Sequence, residues 1–145
     1  MQEDSLNIYK NARVSAGLTQ ERWAEFLGVS AESVRLYESG RGLPSDDVVA
    51  RMSEVAMMPV LAYWHLKNKS GVANDLLPDV EKVPLPQAVL QLLTEVRAFK
   101  GNLDELIQIA ADGYVDQSET SFFEEILSAL DGVIRAAWTV KYSER

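Results

Sequence analysis

Several hydrogen-bonding side chains lie between Gln20 and Arg41 in this 145-residue chain, and their types are suited to recognising a ligand. Arginine presents a rigid fork of donors that matches the edge of guanine or a phosphate group, and glutamate can accept from the amino group of cytosine. Arg35 and Glu32 supply one side chain of each kind within a single turn of a predicted helix. The local chemistry is therefore suited to reading the edges of bases.

Two short helices joined by a tight turn must position these side chains. Thr19 and Ser30 can each cap a helix, and Gly28 stands where a helix terminus needs a positive φ. Pro44 prevents the second helix from continuing. The apolar residues predicted to face inward are Trp23, Ala24, Leu27, Val34 and Tyr37. This spacing is typical of a helix-turn-helix.

The same stretch resembles the Cro/C1-type (XRE-like) repressor family over 26 residues. The residues that carry the resemblance are Thr19-Gln20, Ala24, Leu27-Gly28-Val29-Ser30, Val34, Tyr37-Glu38-Ser39-Gly40-Arg41 and Pro44. The resemblance implies a five-helix DNA-binding domain in which the helix 30–38 enters the major groove of double-stranded DNA. It also implies a sequence-specific transcriptional regulator of repressor type. An ordinary helical hairpin within a bundle is the alternative interpretation of the pattern.

Ten side chains are candidates for contact with DNA. The resemblance implies contacts from Gln20, Ser30, Ala31, Glu32, Ser33, Arg35, Leu36 and Arg41. Gln20 would anchor a phosphate, and Arg35 and Glu32 would read bases. Lys10 and Arg13 lie three residues apart on the predicted exposed side of a first helix, 5–16, where they either contact phosphates or form a solvated face.

The net charge of the chain is compatible with a second function besides DNA binding. The net charge is −8, and residues 1–70 contain eight Lys/Arg and nine Asp/Glu, so the predicted DNA-binding half is not basic. Phosphate neutralisation supplies much of the affinity of DNA-binding proteins. The charge and the apolar positions Ala31 and Leu36 favour a protein-interaction or antitoxin-like adaptor with a weak helix-turn-helix. Gln20, Arg35, Arg41 and Lys10 favour a DNA-binding regulator.

The whole chain is predicted to be all-α, in three parts. Residues 1–68 form the five-helix domain, 69–86 a proline-rich connecting segment, and 87–145 a helical subdomain of about three helices for dimerisation or interaction. In the last helix, 118–142, the heptad spacing predicts a homodimer contact through Phe123, Ile126, Leu130, Val133 and Ala137. The alternative is that this face packs entirely within its own subdomain. The acidic helices of this half are also a candidate surface for a protein partner.

Enzymatic chemistry is not expected. The sequence contains no cysteine and one histidine, His65, and it offers no Ser–His–Asp set or phosphate-cradling glycine loop, so we expect neither a cofactor nor a metal site. Residues 108–119 match the second half of an EF-hand loop. Ala110 lacks a ligand oxygen, and a capping box between Asp116 and Glu119 is the preferred interpretation. The composition favours a cytoplasmic protein.

Overall fold

A computed structural model describes residues 7–145 and confirms the all-α fold. Nine α-helices and one isolated β-bridge make up the regular structure of this range. The chain divides into two compact units, Met1–Leu77 and Pro78–Arg145. In the described range no helix is long and apolar enough to cross a membrane.

The described part of the first unit, from residue 7 onward, contains six helices. They are α1 Ile8–Ser15, α2 Gln20–Leu27, α3 Ala31–Glu38, α4 Asp46–Val55, α5 Val60–Lys69 and α6 Gly71–Leu76. The side chains of Thr19, Ser30 and Ser45 accept hydrogen bonds from backbone amides of α2, α3 and α4, as a helix N-terminus requires. The predicted caps of α2 and α3 are therefore confirmed.

One prediction about this unit was wrong, and one of its helices was not predicted. The predicted start of the first helix at Ser5 is too early, because Asn7 has extended backbone angles and its side chain caps α1. Ser5 and Leu6 themselves lie outside the described residues. The sequence also did not predict α6, which Ser70 caps inside the segment interpreted as a connection.

The core of the first unit packs α1, α4 and α5 around the α2–α3 pair. Its fully buried large side chains include Trp23, Leu27, Met52 and Leu61. His65 is buried as well, and its ring nitrogens lie 2.8 Å from the Tyr9 hydroxyl and 3.1 Å from Asp46 Oδ1. One buried hydrogen bond and one part-buried hydrogen bond of His65 therefore tie α1 and α4 to α5.

The second unit contains α7 Leu85–Lys100, α8 Leu103–Ala110 and α9 Thr120–Lys141. Helices α7 and α9 are antiparallel: the amide of Leu85 donates to the carbonyl of Glu144, and the Glu95 carboxylate lies directly against the backbone of Gly132. Pro86 was expected to end the connecting segment 69–86, but it lies in the first turn of α7. A proline is tolerated there because the amides of the first turn have no partner within the helix.

Candidate nucleic-acid interface

Helix α3 is held in the first unit by a short turn and an apolar face. Gly28 ends α2 in the left-handed region with φ 68°, and Ser30 caps α3 two residues later. The Ser30 hydroxyl accepts from the amide of Ser33 at 3.0 Å, which satisfies a donor that the helix itself cannot pair. Val34 is fully buried beside Trp23 and Leu27 in the core. The turn and this packing fix which face of α3 points outward.

The outward face of α3 carries Glu32, Arg35 and Leu36, all of which are exposed. Ala31 and Ser33 lie half-buried at its two edges, and Ser39 continues the face at the end of the helix. Most of the predicted base-reading positions therefore share one surface. This surface presents a guanidinium, a carboxylate and an apolar side chain side by side.

Arg35 is placed between two carboxylates. Its Nη1 lies 3.3 Å from Glu32 Oε2 on the same helix, and its Nη2 lies 3.4 Å from Glu21 Oε1 on α2. About half of the Arg35 side chain remains exposed, and both acids are more exposed still. Exposed ion pairs of this kind contribute about 0.2–1 kcal/mol, so they orient the guanidinium without preventing it from changing partners.

A buried carboxylate holds the other end of α3. Glu38 Oε1 accepts from Nε of Arg13 at 2.6 Å, and Glu38 Oε2 accepts from Nη2 of Arg13 at 3.0 Å. Glu38 Oε2 also accepts from the side-chain amide of Gln20 at 2.9 Å. The side chain of Glu38 is 6% exposed and that of Arg13 is 13% exposed. Glu38 thus ties the last turn of α3 to both preceding helices.

This network corrects the prediction for Arg13. The residue was expected on the exposed side of the first helix, but its side chain is only 13% exposed and its guanidinium also donates to the carbonyl of Leu18 at 2.8 Å. The hydrogen bond to Glu38 is the main reason that the pKa of Arg13 is raised above its usual range. The groups of Arg13 that would bind a phosphate are used within the chain.

Three more of the predicted DNA contacts lie in different surroundings. They are Gln20, Lys10 and Arg41. The amide of Gln20 donates to Glu38, so this half-buried side chain serves the same network as Arg13. Lys10 is half-buried on α1. Arg41 is exposed in the loop after α3, where it lines a shallow cavity with Asn7 and Tyr37. Of the three, Arg41 is the residue that is exposed.

The sequence reasoning did not single out Glu38 and Glu21 as functional residues. A signal for Glu38 was available: a carboxylate in the last turn of a helix is disfavoured by the helix dipole, so a buried one needs a cation or a donor beside it. No local pattern pointed to Glu21, because its contact with Arg35 joins residues 14 positions apart on different helices.

The predicted dimer residues of α9 do not share one environment. Ile126 is buried within its own unit, whereas Phe123, Leu130 and Val133 are half-buried and Ala137 is exposed. Packing within the unit therefore accounts for part of this predicted contact, and the part of α9 that stays exposed is shifted around the helix.

The acidic turn before α9 forms the predicted capping box. Asp116 Oδ1 accepts from the amide of Glu119 at 3.0 Å, and Glu119 Oε2 accepts from the amide of Asp116 at 3.1 Å. The hydroxyl of Ser118 donates to the same Asp116 oxygen, which is the main reason that the pKa of Asp116 is lowered. Within residues 7–145, no cluster of three or more histidine or acidic side chains could hold a metal ion.

A comparison with known protein families gives a match to part of the first unit. Residues 10–60 match the family model of a helix-turn-helix domain. The match spans α2, α3 and α4 and covers about a third of the chain. It supports a DNA-binding function for this helix-turn-helix domain. No curated protein and no solved structure matches the chain.

Proposed function

We propose that the protein is a sequence-specific DNA-binding transcriptional regulator of the Cro/C1 repressor type, and that it acts as a homodimer. In this proposal α3 lies in the major groove, with Arg35 and Glu32 reading bases and Leu36 touching a thymine methyl. The observation that carries the proposal is the outward face of α3, which presents these side chains on a helix fixed by the buried Glu38 network.

The ion pairs of Arg35 with Glu21 and Glu32 are compatible with a role in reading bases. Release of Glu21 and Glu32 lets the guanidinium pair with guanine O6 and N7, and Glu32 becomes free to accept from the N4 amino group of cytosine. Both acids also repel a phosphate that approaches the wrong way. Affinity for random DNA should therefore be modest, and the preference for a matching site should be the larger effect.

Dimerisation supplies the DNA affinity that a single domain lacks. A near-neutral helix-turn-helix domain neutralises few phosphates, so useful affinity calls for two half-sites about one helical turn apart. The test is to select duplexes from a random pool with the full-length protein and to measure binding by fluorescence anisotropy at several salt concentrations. We expect enrichment of a two-fold symmetric sequence. Recovery of an unenriched pool would refute the proposal.

A protein-interaction or antitoxin-like adaptor is the second candidate. The exposed ring of Phe26 on α2, which lies under the guanidinium of Arg22 at 5.2 Å, favours it. Aromatic and arginine side chains are enriched at protein interfaces, and here both are exposed. Salt-independent binding to a protein partner, with no selection of DNA, would favour this function.

Arg35→Ala should relax sequence preference by about 1–3 kcal/mol at one base pair of the selected site, because a bidentate contact to guanine is lost. Lys10→Ala should weaken binding to all sequences alike and lower the salt slope by about 1, as loss of a phosphate contact does. Anisotropy titrations on the selected site and on its single-pair variants measure both quantities.

The matched control for this test is Arg51→Ala, which removes an exposed arginine from α4, outside the proposed interface. Its affinity and preference should equal those of the unmodified protein. If Arg35→Ala behaves like this control, α3 does not read bases through Arg35.

A further inference from the structure

Helices α7 and α9 bury one strip of side chains against each other. On α7 this strip consists of Ala88, Leu92, Glu95 and Phe99, and on α9 of Ile126, Ala129, Val133 and Ala136, all buried or half-buried. The spacings 4, 3, 4 and 3, 4, 3 are those of heptad packing. The antiparallel pair is thus a tightly packed helical hairpin. Further apolar residues lie next to this buried strip.

A second apolar strip follows the buried one at the next residue on each helix. On α7 it consists of Val89, Leu93 and Val96, and on α9 of Leu127, Leu130, Ile134 and Ala137. Five of these side chains are 36–45% exposed: Val89, Leu93, Val96, Leu127 and Ile134. The exposed strip of α9 keeps Leu130 and Ala137 of the predicted dimer contact and has Leu127 and Ile134 in place of Ile126 and Val133.

Both exposed strips lie on the same side of the hairpin. One residue advances a right-handed helix by about 100°, so each strip is turned in the same sense from the helix contact. A two-fold rotation perpendicular to both axes relates two antiparallel helices. This rotation maps the strip of one helix onto the strip of the other and keeps it on the same side of the hairpin. The two strips therefore form one common surface. We call this common surface, formed by the seven residues of the two strips, the hairpin face.

Charge is absent from the centre of the hairpin face. The seven positions include no acid, although residues 78–145 contain twelve Asp/Glu and six Lys/Arg. Lys100 continues the α7 strip and Lys141 continues the α9 strip, so the first charges stand at opposite ends of the face. A face with an apolar centre and charged ends has the composition of an interface core with a polar rim.

The area of the hairpin face suits a dimer. At their observed exposures the seven side chains present on the order of 450 Å² of apolar surface, and a standard interface of about 800 Å² per partner needs a similar apolar share. Heptad spacing on both strips calls for a partner made of helices of the same kind. A second copy of the chain supplies such helices with the same acid-free surface.

We propose that two copies of the chain pack hairpin face against hairpin face into a four-helix bundle, α7 and α9 of one protomer against α7 and α9 of the other. This inference deepens the homodimer of the proposed function and places its contact on α7 as well as α9. The contact is isologous, so one substitution alters it twice in each dimer.

The first experiment measures the mass of the full-length protein in solution, without DNA, across a dilution series. The unmodified chain should be a dimer. Leu93→Glu should raise the dimer dissociation constant at least about 100-fold, because the carboxylate would be buried in an apolar contact. The matched control is Leu76→Glu, a leucine on α6 that is 77% exposed, and this variant should dimerise normally.

A second experiment covers the possibility that Leu93→Glu fails to fold. The chain has no cysteine, so Ala137→Cys on the hairpin face and Ala98→Cys, exposed on α7 outside it, each introduce one thiol. Maleimide should modify Cys at position 137 slowly at high protein concentration and rapidly on dilution. At position 98 it should react rapidly at both concentrations.

The outcomes separate this inference from DNA binding. A monomeric unmodified chain, as expected if a foreign protein covers the face, overturns the bundle. Equal dimerisation of Leu93→Glu and Leu76→Glu, or concentration-independent labelling at position 137, overturns it as well. None of these results affects the selection of a DNA sequence, which is measured separately.

Discussion

Replacing Glu38 with alanine should lower the free energy of unfolding of the helix-turn-helix domain by about 1–3 kcal/mol, because donors of the part-buried Arg13 guanidinium lose their acceptor. The side-chain amide of Gln20 loses its acceptor in the same step. The effect should be larger than that of breaking a surface ion pair, since water cannot take over the role of the lost carboxylate.

The matched control is Glu25→Ala, which breaks the exposed pair between Arg22 and Glu25 and should cost about 0.2–1 kcal/mol. Urea unfolding followed by tryptophan fluorescence measures both variants. Trp138→Phe in all proteins restricts the signal to Trp23 and Trp64 of the first unit. The double variant Arg13→Ala/Glu38→Ala should be less destabilised than the two single variants added together. Equal losses for Glu38→Ala and Glu25→Ala would contradict the structural role of Glu38.

Removing residues 78–145 should weaken binding to a two-half-site operator by about 10²–10⁴-fold, because the second half-site is then no longer bound as part of one molecule. The same truncation removes twelve acids and six basic residues. Binding to random DNA at low salt should therefore rise, since exposed charges act over about 8 Å at physiological salt. Anisotropy on operator and random duplexes at two salt concentrations measures both effects, with circular dichroism to check that residues 1–77 stay folded.

Full-length Leu93→Glu is the matched comparison, because in our proposal it loses the dimer and keeps the acidic half. It should lose operator affinity as the truncated protein does, without the gain on random DNA. A truncated protein that binds both duplexes as the full chain does would refute both the dimer contact and the electrostatic role of this half. It would also remove the reason to expect a protein partner on Asp104, Glu105 and the other acids around α8.

The sequence by itself determined the helices of the candidate site, because their signals are local. A cap such as Ser30 bonds an amide three residues away, and Gly28 adopts a backbone angle that few other residues tolerate. Hydrophobic periodicity likewise placed Trp23, Leu27 and Val34 in the core before any contact was known. The identity of the outward face of α3 follows from the same period.

Only the tertiary structure decided which polar side chains are available at the site. The partner of Arg13 is Glu38, 25 residues further along the chain, and no spacing rule reaches that distance. In α9 the apolar arc was visible from the sequence, but its division into a buried and an exposed strip depends on where α7 packs against it. A shift of one residue turns a helix by about 100°, so the periodicity that predicted the apolar side of α9 could not determine which strip stays open to a partner.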